Sequence, residues 1–220
     1  MHLTCLAIVL SALAAQPVPA SAPNRGKADA KAGGKADGRF NDSRPRFEAY
    51  LATHDVPAAG ELHALAAAPE NVLMAIASDV RADGLLRSRA VAALRLLPSA
   101  GVHVFLVKLI QAQAKATDAT DRLIVRRAAV ALGWMSGTGA AETLALLFDN
   151  EDAEVRLDAA IGLGLTRAAT AVTPLRRQLA VEQSPRVRDQ IERQLRALGE
   201  PLVEPKAPAP KKVQPMRSNW

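Results

Sequence analysis

The sequence predicts an all-α chain: an α-solenoid of antiparallel helix pairs, carried between disordered tails. Three observations predict it. First, a capped amphipathic phrase recurs from position 83 onward, its caps at 83, 121, 152 and 184 lying 38, 31 and 32 residues apart. A helix–turn–helix unit with a period in the thirties is the mark of stacked helical repeats. Second, 49% of residues are hydrophobic but only 3% are aromatic. The apolar positions therefore fall to Ala, Leu and Val, which suit close-packed helices better than a sheet sandwich. Third, the stretch EDAEVRLDAAIGLG (residues 151–164) offers Ala159, Ala160, Gly162 and Gly164 where a helix would carry large core side chains. Glycine inside a helix costs about 1 kcal/mol relative to alanine, so close approach of a neighbouring helix explains these residues better than propensity does.

In chain order, LTCLAIVLSALAA (residues 3–15) is an uncharged apolar run of thirteen residues. It is too short to span a membrane and has the length of a secretory signal core. Residues 1–20 are therefore expected to be a signal peptide, cut after Ala20 or Ala14. The single cysteine, Cys5, would leave with it. Residues 21–43 are read as a disordered basic linker, low in hydrophobicity and rich in Gly, Ala and Lys. The repeat domain is expected over 44–198, and residues 199–220 read as a Pro-rich, extended basic tail.

The formal net charge is +6, and all of it sits in the tails. Residues 21–46 carry +4, residues 199–220 carry +2, and residues 47–198 hold seventeen charges of each sign. A nucleic-acid domain concentrates basic charge on its own folded surface, so no specific nucleic-acid partner is expected. The tails would tether the chain weakly to anionic envelope surfaces or act as plain solvated linkers.

Within the repeat domain a short leading helix, Pro45–Thr53, is expected with Ser43 as its cap. A faint copy of the phrase, DVPAAGELHALA, starts at Asp55. The clear copies start at the caps Asp83, Asp121, Asp152 and Ser184, the last with Pro185 at the first helical position. Three residues on come Leu86, Ile124, Val155 and Val187, and two turns later Leu94, Leu132, Leu163 and Leu195. Each phrase helix is followed by a second, read as Glu70–Val80, Gly101–Lys115, Gly139–Asp149 and Thr170–Glu182. The polar helix 185–198 is expected to close the far end, as a terminal repeat must present a wetter face. Trp134 and Met135, at the end of a repeat helix, are read as core.

The phrases DAEVRLDAAIGLG and DRLIVRRAAVALG, each followed by an Ala-x-x-Leu second helix, resemble HEAT-like repeats of the type also found in phycobilisome lyases. The resemblance covers about residues 55–198 and is strongest over 118–198. The motif's Asp/Arg pair stands as Asp83 with Arg87 and Asp152 with Arg156, and Ser184 with Arg188 matches it. Asp121 departs, with Val125 where the Arg belongs. The resemblance implies architecture rather than chemistry, since such repeats occur in scaffolds, adaptors and a few enzymes. A lyase-type or other enzyme accessory is the alternative it leaves open.

The residues give no catalytic, cofactor or metal site. His54 and His63 lie near Asp55 and Glu61 without two ligands one helical turn apart, and no metal is expected there. GWMSGTG (residues 133–139) lacks the strand and the lysine of a phosphate loop. FDNEDAE (residues 148–154) lacks the alternating ligands and distal Glu of a calcium loop, and reads as a solvated turn with a helix cap. What remains is a surface. In helical solenoids one row of helices lines a concave face that takes a partner. The candidate partner-binding residues on the second-helix row are Lys108, Lys115, Arg176, Arg177 and Gln178, pointing away from the Leu core. VHVFLVKLI (residues 102–110) is apolar nearly all round, so Val104, Phe105 and Val107 cover either a partner or an adjoining turn. The expected function is a non-enzymatic protein–protein interaction scaffold or adaptor of a bacterial envelope. It would be exported, periplasmic or secreted, with a protein partner the sequence does not name.

Overall fold

The computed structural model describes residues 36–53, 58–137 and 139–201, with side chains from residue 43 onward. The expected signal peptide, Cys5, His54, the start of the faint copy at Asp55 and most of both tails lie outside the described residues.

Every regular element among the described residues is helical. The order is α1 (Ala36–Thr53), α2 (Ala59–Leu65), α3 (Pro69–Ser78), α4 (Gly84–Leu94), α5 (Ala100–Gln113) and α6 (Ala119–Met135). Then follow α7 (Ala140–Ala145) with a 3-10 turn at Leu146–Asp149, α8 (Ala153–Thr166), a 3-10 turn at Ala169–Ala171, α9 (Val172–Val181) and α10 (Pro185–Ala197).

Two expected boundaries are corrected. The leading helix starts at Ala36, not Pro45, so Pro45 lies inside it and Ser43 is not its cap. Proline has no N–H to give the carbonyl four residues back, but its fixed φ is helical, so the helix can run through it. The cap of α6 is Asp118, whose carboxylate accepts from Thr120 N at 2.8 Å and Asp121 N at 3.2 Å. Asp121 sits in the first turn of the helix. α6 thus has an extra N-terminal turn ahead of its apolar register, which begins at Ile124. With the cap moved, the Arg that seemed missing is found four residues on, as Arg122.

The helices α4, α6, α8 and α10 pack side by side in that order, and α6 and α8 run parallel. Arg122 and Arg126 of α6 pair with Asp152 and Asp158 of α8, while further along Gly133 meets Gly162. The contact rises along both helices together, which is what parallel means. The helices α3, α5, α7 and α9 form the adjacent series, each touching the next. Each of α4, α6, α8 and α10 packs more extensively on the helix before it than on any helix after it in the adjacent series. α4, α6, α8 and α10 therefore pair with the helices that precede them, as the hairpins α3–α4, α5–α6, α7–α8 and α9–α10, and not with the helices that follow them, as the sequence suggests.

The core lies between the two series. Leu73, Ile76, Leu94, Leu106, Ile110, Ile124, Leu132, Leu144 and Leu163 are all fully buried there. α1 and α2 add Phe47, Leu51 and Leu62, also without exposure. α1 is held to α3 by Arg44, which reaches Asp79 Oδ2 at 2.5 Å and Glu48 Oε1 at 2.6 Å.

The small residues have a geometric cause. A Cβ on Gly133 would lie 2.3 Å from the Gly162 carbonyl oxygen and 2.7 Å from its Cα. A Cβ on Gly162 would lie 2.6 Å from the Ala129 carbonyl oxygen. α6 and α8 touch backbone to backbone, and only glycine fits at the crossing.

Candidate functional site

Three of the motif arginines have one job in common, while Arg122 pairs with Asp152 instead. Arg87 Nε donates to the Ala77 carbonyl at 3.2 Å, at the end of α3. Arg188 Nη1 donates to the carbonyls of Leu179 and Glu182, at the end of α9. Arg156 Nη1 donates to those of Asn150 and Glu151, in the turn before α8. The last carbonyls of a helix have no partner within it. Each of these three arginines satisfies such groups in the segment before its helix, while the motif Asp caps its own helix. Asp83 accepts from Leu85 N and Leu86 N, and Asp152 from Glu154 N and Val155 N.

Ser184 occupies the cap position of α10, but its hydroxyl makes no capping bond. Glu182 dominates that turn instead. Its Oε1 accepts from Gln183 N and from Ser184 N at 2.9 Å, and Arg156 clasps both carboxylate oxygens at 2.8 Å. The Arg156 guanidinium, against the cost of burial, holds the Glu182 carboxyl down at about 2. In the α5–α6 turn the equivalent carbonyls, of Ala114 and Ala116, are met by buried Asn150 of the next hairpin. The sequence did not mark Glu182 or Asn150 as structural. Their signal was position: each lies two residues before a helix cap.

The candidate partner-binding residues divide into two groups. Lys108 and Lys115 are exposed on α5 and just after it, and Lys115 lines a pocket of about 270 Å³ with Arg122, Asp149 and Glu151. Arg176, Arg177 and Gln178 belong to α9, with α7 standing between the groups. Arg176 is tied to Glu200 at 2.5 Å, and Gln178 donates to Glu182 Oε2 at 2.7 Å. Gln178 therefore braces the Glu182 clasp rather than offering itself to a partner. Lys108 and Arg177 are exposed. Of the apolar α5 residues, Val104 is exposed while Phe105 and Val107 pack partly against the core. His103 Nε2 is buried without a hydrogen bond and faces Gly137 in the α6–α7 turn.

Trp134 overturns its expected place. It is 59% exposed, not core. Along α6 the incompletely buried positions Leu123, Arg127, Val130 and Trp134 follow a 4-3-4 spacing, one outward stripe of the helix. Arg127 on that stripe was the sign that it faces water. On α8 the matching stripe is Glu154, Asp158, Ile161 and Leu165. Gly162 lies against the α6 segment between Ala129 and Gly133, which sets Val130 level with Ile161 and Trp134 level with Leu165. The outward face of these two helices is thus charged at its N-terminal half and apolar at its C-terminal half, with an indole at the edge.

The charged half is an ion ladder. Arg126 pairs with Asp158 at 2.7 Å and Glu154 at 3.1 Å, and Arg186 of α10 also pairs with Glu154. Burial pushes the Asp158 carboxyl above its ordinary value, opposed by Arg126. Among the described residues no group of three His, Cys, Asp or Glu side chains comes together to hold a metal, and no helix is long and apolar enough to cross a membrane. Compared with known proteins, the chain matches no family model, no curated protein and no solved structure.

Proposed function

We propose that this chain is a short α-solenoid of HEAT-like repeats that works as a non-enzymatic interaction scaffold or adaptor. It is exported, to the periplasm or beyond, with its repeats carried between basic tails. Two things support the architecture: the side-by-side series α4, α6, α8, α10 and the Asp/Arg device repeated along it. The single observation that carries the binding role is Trp134. A large exposed indole beside an apolar stripe and the exposed Arg127 has the composition of an interface hot spot.

Two measurements test this reading. Fractionation with intact-mass analysis should recover a species outside the cytoplasm that starts at Ser21 or Ala15. A cytoplasmic species that retains Met1 and Cys5 would end the export reading. A photo-reactive side chain at position 134 should cross-link to one protein in cells, and the same group at Glu142 should not. Equal, diffuse labelling from both positions would count against a dedicated surface.

A further inference from the structure

The outward face of α4, α6, α8 and α10 has a charge sign as well as an apolar half. Its acids on α8 are Glu154 and Asp158, and both are already met by arginines, Arg126 and Arg186. Its remaining cations are less engaged. Arg127 is exposed and makes no hydrogen bond or ion pair among the described residues, though Asp158 feels its field. Arg193 of α10 is exposed, one turn from exposed Asp189, and among the described residues its guanidinium hydrogen-bonds to the neutral Gln190. The face therefore offers a surplus of positive charge beside Val130, Trp134, Ile161 and Leu165.

We infer that this face docks an acidic amphipathic segment of a partner protein, with Trp134 as the apolar anchor and Arg127 and Arg193 as its charge readers. The inference rests on the scaffold reading above and names the partner's chemistry. Complementary charge of this kind steers encounter and sets register, while the buried aromatic supplies most of the affinity. A peptide fits the face better than an anionic bilayer does. Asp158 stands among the positions that would be covered, and a lipid headgroup layer would set like charge against it. A peptide can turn an apolar or donor side chain to the same spot.

The test uses the full chain carrying Trp220→Phe, which leaves Trp134 as the only tryptophan of the two in the sequence. The probe is a Leu/Glu amphipathic peptide of about eighteen residues, roughly 27 Å long as a helix. A matched Leu/Lys peptide and phosphatidylglycerol vesicles are the comparisons. The acidic peptide should shift Trp134 emission to the blue, and its binding should weaken with added salt. Arg127→Glu and, read by anisotropy of labelled peptide, Trp134→Ala should each weaken it by about tenfold or more. Both positions are exposed, so both variants should fold, which circular dichroism checks. Equal binding of the basic peptide, binding of vesicles in preference to the acidic peptide, or no binding of that peptide at millimolar concentration would each overturn the inference. So would unchanged affinity in both variants. If position 134 still cross-links to a partner in cells while the acidic peptide fails, the scaffold reading stands and only the partner's chemistry is wrong.

Discussion

Glu182 gathers five N–H donors on one carboxylate: two from Arg156, one from Gln178 and the backbone N–H groups of Gln183 and Ser184. Its carboxyl titrates at about 2 rather than the ordinary 4.5. A depressed carboxylate pKa stabilises the fold above the unfolded value, and that stability is lost as pH falls toward the folded one. Glu182→Gln should therefore cost roughly 3 kcal/mol at neutral pH, since Arg156 keeps its charge and loses its partner. The gap between wild type and variant should hold from neutral pH to about 5 and close between about 4.5 and 2. Chemical denaturation across that range measures it, and a gap that stays constant would show the ion pair contributes nothing. A second residue-scale prediction concerns the α6 cap. Asp118→Ala should cost about 1 kcal/mol, as it strips the acceptor from two orphan donors. Asp121→Ala should cost less, because its carboxylate accepts only from Gln113 Nε2 at 3.2 Å. A larger loss at Asp121 would move the cap back to the place its apolar register suggested.

At the scale of elements, close approach sets the sequence of α6 and α8. Gly133 faces backbone, so an added methyl there must push the helices apart. Gly133→Ala should destabilise by about 1–3 kcal/mol, and Gly162→Leu by at least as much. Gly164 differs: the nearest atoms to its added Cβ all belong to the flexible Gln194 side chain on α10 and not to backbone. That side chain can swing aside, so Gly164→Ala should fall within about 1 kcal/mol of wild type, helped by alanine's better helix propensity. Thermal melts of the variants decide this, and equal losses at Gly133 and Gly164 would refute it. Much of this was legible. The caps Asp83 and Asp152, the three carbonyl-reaching arginines and the thin face of α8 stand in the sequence as spacing. The α6 cap was not, because the apolar register starts at Ile124 while the helix starts one turn earlier. Trp134 was misread because an apolar residue in a repeat helix invites a core assignment, and only Arg127, seven residues before it, argued otherwise. The pairing of hairpins was read one helix out of step, each phrase with the helix after it, since a period fixes the length of a unit and not where the unit begins.

At the scale of the whole molecule, contacts among the described helices run between neighbours along the two series. No element of residues 36–201 ties the first hairpin to the last. Stability in such a chain is close to a sum of hairpin terms and neighbour terms. α6 and α8 have a full neighbour on each side and meet at the glycine crossing. α10 has a helix of its own series on one side only, and α2 is seven residues long with Leu62 its one fully buried side chain. Local opening should therefore begin at the ends. Native-state hydrogen exchange should show protection highest in α6 and α8, lower in α4 and α10, and lowest in α1 and α2. The Glu182 clasp adds a further expectation, because it joins α8 to the α9–α10 turn. Glu182→Gln should lower protection in α9 and α10 selectively and leave α3 to α5 near their original values. Uniform loss across every helix would mean that the molecule opens as one unit, and that stacking along the series does not divide its stability among the hairpins.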